Sequence, residues 1–244
     1  MMKASAVPLM CVVLIGALLT PTGVSAQPRP AIADKIAKTY GLDSWGQIEA
    51  IRYTWNLELG KLKLARSWVW EPKTDQVSYE GKDKAGNPVK VTYLRSQLAN
   101  QSAEVKGNID PGFLNDQYTL LFPLHLVWDT GVTITDAGMQ KVPLGKGKAQ
   151  KVVAKYPAEG GGYTPGDTWE LYVGADGRIR DLVFRHGGKV QPSLLIVTWG
   201  DQKKAGPLLV SLDKRGTADG KPLRIFYTNV AVKMVGSDTW MDAK

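Results

Sequence analysis

His125 and His186 are the only imidazoles in the chain, and they stand far apart in it. The usual parts of a catalytic centre are missing around them. The chain has no G-x-S-x-G elbow, no H-E-x-x-H and no G-x-x-x-x-G-K-[ST] loop. Ser193 and Ser211 have no base beside them in the sequence. Asp129 and Asp136 are a carboxylate pair of the type used in acid–base chemistry, but both read as loop or strand-end residues and no spacing joins them. A zinc site built on two histidines needs carboxylates for its remaining ligands. "GKGKAQ" from Gly145 lacks the third glycine of a dinucleotide loop and reads as a turn. His125 alternates with Leu124 and Leu126 in "PLHLVWD" and reads as a histidine on a strand face or interface. His186, before Gly187 and Gly188, reads as exposed. The expectation is a protein that is not an enzyme, with no metal and no cofactor.

The remaining chemistry lies on an aromatic face. In "IRYTWNLEL" from Ile51 every odd position is apolar and every even one polar, so Tyr53, Trp55, Leu57 and Leu59 share one face of a strand. After the Gly60-Lys61 turn the alternation continues through Leu62, Leu64, Trp68 and Trp70, and Arg66 alone breaks it. A guanidinium on an apolar face needs a partner. Two candidates are open: a carboxylate on a covering helix, such as Asp116, or the headgroup of a ligand. In the second half, Trp169, Phe184 and Trp199 occupy equivalent positions. Such a face either packs solidly or leaves a pocket for an apolar ligand.

The elements that position these residues are mostly strands. Pro30 to Tyr40 reads as a helix, with Ile32, Ile36 and Tyr40 on one face and Gly41 as its stop. A meander follows, with strands to Trp70, over 76–80 and over 89–94. Asp110 reads as an N-cap and Pro111 as a first helical residue. Phe113, Leu114, Tyr118 and Leu121 form one face of that helix, and Pro123 ends it. Strands return over 132–136, 149–156, 168–173, 178–186, 194–199, 208–214 and 223–235. Gly174-Ala175-Asp176-Gly177 is a tight hairpin turn, which makes Asp176 a turn residue. The fold class expected is mainly β (α+β): one large, curved, unclosed antiparallel sheet of about ten or eleven strands, with helices covering its concave face. No linker or composition shift divides residues 27–244, which read as a single domain.

The N-terminus carries an address. Lys3 precedes an apolar run from Val7 to Leu19, and Val24-Ser25-Ala26 supplies small residues before Gln27. That is the pattern of a signal peptide cleaved after Ala26. The run is about 13 residues, short of the roughly 20 that span a bilayer. Cleavage would remove Cys11, the only cysteine, so the exported chain would have no disulfide. The 31 Lys and Arg outnumber the 23 Asp and Glu, giving a net charge of +8. These cations are scattered singly, which points away from nucleic acid and allows peripheral contact with an anionic membrane surface.

A signal peptide, a short helix, then "LDSWGQIEAIRYTW", strands rich in Trp and Tyr, and the hairpin "WELYV"–"GADGRI"–"RDLVF" together resemble the outer-membrane lipoprotein-sorting, periplasmic lipoprotein carrier-like superfamily. The resemblance implies an unclosed half-barrel whose helices lie in its concave face and an acyl chain or other apolar ligand held between them. It places "DPGFLNDQYTLLFPLHLVWD" as the lid helix. The dedicated carriers follow their cavity arginine directly with proline, whereas this chain reads "LARSWVWEP" around Arg66. The function expected is an exported, periplasmic binding protein for an apolar or lipid-like ligand, such as a lipoprotein acyl chain. Its cavity candidates are Tyr53, Trp55, Arg66, Trp68, Trp70, Phe113, Tyr118, Leu121, Trp169, Phe184 and Trp199. Two other functions fit the same residues: an envelope protein-interaction or sensor domain with a filled core, and an exported hydrolase with an unrecognised site.

Overall fold

The computed structural model describes residues 29–83, 85–160, 163–188 and 190–244. The expected signal peptide and Cys11 lie outside the described residues. Helix α1 (Ala31–Thr39) buries Ala33, Ile36 and Ala37 and stops at Gly41. Gly41 has φ +103°, and a Cβ there would meet the Pro207 carbonyl oxygen at 2.8 Å, so only glycine fits. Four strands follow as a meander: β1 (Ile48–Leu59), β2 (Leu62–Glu71), β3 (Gln76–Lys82) and β4 (Pro88–Leu94). After helix α2 (Asp110–Trp128) a second meander runs through β5 (Thr133–Lys141), β6 (Lys148–Lys155), β7 (Thr168–Val173), β8 (Ile179–Arg185) and β9 (Leu194–Thr198). The chain ends with β10 (Gly200–Ala205), β11 (Leu208–Ala218), β12 (Lys221–Met234) and β13 (Trp240–Asp242).

All of these strands belong to one antiparallel sheet in the order β4-β3-β2-β1-β12-β11-β9-β8-β7-β6-β5, with β10 on β11 and β13 on β12. The two meanders therefore flank the β11–β12 hairpin, and β4 and β5 are opposite, unpaired edges. The sheet is not closed. Because α2 lies on the segment joining those two edges, it has to cross the sheet, and at about 1.5 Å per residue its 19 residues span roughly 28 Å. It crosses on the concave side. Phe113 packs edge-on against Trp68 and Trp70 with centroids 5.6 Å from each, and Phe122 stacks on Trp169 at 3.9 Å. Buried on nearly every side, α2 carries apolar residues all round instead of on one stripe.

The sheet is mainly β with helices across the concave face, as expected, but it has thirteen strands among the described residues instead of ten or eleven. β10, "GDQKKA", is polar and lacks an apolar parity, and β13 is three residues long, so neither leaves a pattern to read. Two boundaries of α2 also differ. Asp110 is not a cap: it has helical backbone and continues a π-type turn over Val105–Ile109. Pro123 does not end the helix, which runs five residues further. Proline removes the hydrogen bond to the Thr119 carbonyl, a cost on the order of 3 kcal/mol. Burial of Leu124, Leu126 and the His125 side chain beyond it offsets that cost. His125 is therefore on a buried helix and not on a strand. His186 is half-buried, with its Nδ1 3.4 Å from an Asp167 carboxylate oxygen, and not exposed. Asp176 does occupy the turn before β8: its carboxylate accepts from the Arg178 amide at 3.1 Å, and Gly177 has φ +79°.

If α2 holds the concave face by packing, Phe122→Ala should lower unfolding free energy by about 3–5 kcal/mol. Leu62→Ala, at a position 47 % exposed, should change it by no more than about 0.5 kcal/mol. Urea denaturation of the two variants checks the contrast.

Candidate functional site

Between α2 and the β7–β9, β11 and β12 part of the sheet the structure holds a cavity of about 300 Å3. Trp55, Leu57 and Ile225 form one wall, and Trp169, Phe184 and Val197 another. α2 contributes Asn115, Tyr118 and Thr119 from above. The loop before β7 adds Tyr163, Thr164 and Asp167. The strand parities explain the apolar surface. Trp55 and Leu57 alternate with solvent-side Thr54 and Asn56, and Leu57 pairs across to Ile225.

The aromatic face read from the sequence thus divides in two. Trp55, Tyr118, Trp169, Phe184 and Trp199 line the cavity. Tyr53, Trp68, Trp70, Phe113 and Leu121 belong to the packed core instead, where Phe113 of the first half of α2 meets Trp68 and Trp70. Arg66 stands between these regions. Its Nε and Nη2 donate to the two carboxylate oxygens of Asp116 at 2.7 and 2.5 Å, and its guanidinium covers the Trp55 ring at 4.2 Å. The Trp68 indole and the Asn115 amide donate to the same carboxylate at 2.8 and 2.9 Å. Of the two partners open to Arg66, the structure has the helix carboxylate. Burial pushes the Asp116 carboxyl up from its ordinary value, and these donors, Arg66 first, oppose the push. Burial also opposes charge on Arg66, but the carboxylate outweighs it and holds the guanidinium above its ordinary value. The Tyr227 hydroxyl donates to the Asp116 carbonyl at 3.1 Å, fixing the same turn of α2 to β12.

A second polar cluster holds the end of the helix. His125 Nδ1 lies 2.9 Å from Asp129, Nε2 lies 3.0 Å from Gln117, and the ring stacks on Tyr118 at 3.7 Å. Tyr118 and Tyr156 donate their hydroxyls to Asp129 at 2.8 and 2.7 Å. Burial would raise the Asp129 carboxyl, but His125, Tyr156 and Tyr118 together hold it below its ordinary value. With both ring nitrogens engaged, this histidine holds Asp129 at the end of α2, and Asp129 in turn ties the helix to Tyr156, just after β6. Asp136 is elsewhere, exposed and bonded to the Gly138 amide. Ser211 donates to the Gly200 carbonyl and Ser193 to Asp219, so neither serine is set against a histidine. Among the described residues no group of three or more His, Cys, Asp or Glu could hold a metal.

One residue escaped the sequence reading. Lys214, on β11 opposite Ile225, is 1 % exposed and forms part of the cavity wall. Its Nζ donates to the Ser211 carbonyl at 3.0 Å and lies over the Trp199 and Tyr227 rings at 4.2 and 4.7 Å. No carboxylate of the described residues comes within 4.0 Å of it. Burial pulls its amine down to about 7, with neighbouring Asp213 pulling weakly the other way. The available signal was parity: Lys214 follows Val210 and Leu212 on one face just as Arg66 follows Leu62 and Leu64.

No family model and no curated protein matches the chain. Several solved structures do. A DUF1329 family protein from Desulfovibrio piger aligns over 86 % of this chain and 95 % of its own at 12 % identity, with a TM-score of 0.45. A domain described as outer membrane lipoprotein-sorting, from Vibrio parahaemolyticus, aligns over 84 % and 95 % at 12 % identity, TM-score 0.44. The Mycobacterium tuberculosis lipoprotein LppX aligns over 83 % and 96 % at 9 % identity, TM-score 0.32. Independently of these distant likenesses, an unclosed antiparallel half-barrel with a helix across its concave face is the architecture implied by the sequence resemblance.

Two outcomes test this geometry. Arg66→Leu leaves Asp116 buried without its cation and should cost about 3–5 kcal/mol in urea denaturation, while Arg66→Leu with Asp116→Leu should recover most of the loss. Lys214 supplies a pH signature. Its amine binds a proton below about 7 when folded, but below roughly 10.4 when unfolded. Between those values the unfolded chain carries more protons, so stability rises with pH across that window and is flat below it. The Tm of the wild type should therefore climb from pH 7 to 9.5 relative to Lys214→Met, with a constant difference below pH 6.

Proposed function

We propose that this chain is an exported, periplasmic binding protein that shelters an apolar or lipid-like ligand between its sheet and α2. The observation that carries this reading is the cavity itself. It is about 300 Å3 in size, walled by tryptophan, leucine, isoleucine and phenylalanine, and covered by a helix held in place by ion pairs instead of loose contact. Ligand sites run from roughly 300 to 1,000 Å3 and combine such walls with a few polar groups. Four buried polar atoms of the lining, Trp55 Nε1, Trp169 Nε1, Trp199 Nε1 and Thr164 Oγ1, have no hydrogen-bond partner among the described residues. They are the kind of groups that would orient a guest. A lipoprotein acyl chain is one such guest.

Leu57 and Leu59 lead from the cavity to the β1–β2 turn, where Leu62 and Leu64 are 47 % and 39 % exposed beside exposed Lys61 and Lys63. That tip fits peripheral contact with an anionic membrane surface, the side from which an acyl chain would enter. No helix among the described residues is long and apolar enough to cross a membrane.

The experiment is a titration with N-phenyl-1-naphthylamine, a neutral apolar dye that brightens out of water. Wild type should bind it saturably. Ala218→Phe, which places a ring where a buried methyl lines the cavity, should lose binding with its circular dichroism intact. Equal dye binding by the two proteins would overturn the cavity as the ligand site.

A further inference from the structure

We propose that Lys214 is the headgroup anchor of this cavity and that the ligand class is a single-chain aliphatic carboxylate of medium length. This rests on the reading of the cavity as a ligand site and names what enters it. Lys214 is in the cavity wall, fully buried, with one of its three N–H donors used by the Ser211 carbonyl and two aromatic rings beside the ammonium. A lysine in such surroundings is rare without an anion to meet it.

The protein's own carboxylates are committed elsewhere. Asp213, the neighbour in sequence, faces the opposite side of the sheet and accepts from Arg215 and Arg224. Asp116, on α2 above, is saturated by Arg66, Trp68 and Asn115. Asp167, elsewhere in the lining, accepts from the Gly187 amide and has His186 beside it. From β12 the group facing Lys214 is the Tyr227 ring, whose hydroxyl is bonded to Thr119 and the Asp116 carbonyl. A single negative charge on the guest would give the ammonium the ion pair that the fold withholds. A diacyl phospholipid would bring two chains as well as a charge, and the cavity is small. At roughly 30 Å3 for each water-sized group, 300 Å3 holds about ten groups, one medium chain.

A proton accompanies the event. Burial leaves the amine at about 7, and a carboxylate seated against it raises it again, so binding above pH 7 draws a proton from the buffer. Isothermal titration calorimetry at pH 8, in two buffers of different ionisation enthalpy, with octanoate and octanol as probes, measures affinity and proton uptake together. Octanoate should bind the wild type at least tenfold more tightly than octanol, with uptake of roughly half a proton or more. Lys214→Met, which keeps the apolar stem, should bind both probes alike and take up no proton. Equal affinity of the wild type for the two probes without proton uptake overturns the anchor and leaves the cavity as a ligand site. Binding of neither probe overturns both.

Discussion

A carboxylate with no exposure to water is stable only when its oxygens are occupied, and Asp116 meets this condition in the middle of a helix. Arg66 reaches it from β2, Trp68 from the same strand and Asn115 from the adjacent position on α2. The pair does more than offset its own desolvation. It fixes the rotation and position of α2 at a point where the helix could otherwise slide over an aromatic surface with little preference of its own. Apolar contact is non-directional, whereas a bidentate guanidinium–carboxylate pair has one geometry. The cavity boundary depends on that placement.

With α2 seated in this way, its two halves meet the sheet differently. The first half drives Phe113 between Trp68 and Trp70 and leaves a solid core. The second stacks Phe122 on Trp169 and clamps its end through His125, Asp129 and Tyr156. Between these contacts the helix spans instead of fills, and Tyr118 and Thr119 look onto a space backed by Trp199 and Lys214. Four residues of catalytic type have structural partners in this arrangement: His125 holds the helix end, Asp116 is a latch, and Ser211 and Ser193 bond to the sheet and its turns. Chemistry that remains uncommitted is concentrated in the cavity lining.

Much of this was legible beforehand for a simple reason. Arg66 interrupts a clean period-two pattern, so a charged residue on the inner face was visible in "LKLARSWVW", and Asp116 could be named as its partner from the neighbouring helix. Lys214 interrupts its strand in the same way but was hidden, because "LLVSLDK" begins with apolar residues on both parities and Leu208, Leu209 and Val210 are all buried. The end of α2 was misplaced because a proline is locally unfavourable in a helix, and only tertiary burial of Leu124 and Leu126 shows why it is tolerated. Parity also assigns Trp68 and Trp199 to the inner face without distinguishing core from cavity. That distinction depends on where the helix lies over the sheet, which is a long-range property.

Native mass spectrometry of the protein isolated from its producing cells without detergent bears most directly on the cavity as a ligand site. The account predicts a reproducible extra mass that organic solvent releases as a lipid-like molecule, and its loss in Ala218→Phe. A clean apoprotein mass, with no uptake of added fatty acid or phospholipid, would contradict it and make the aromatic face a core alone.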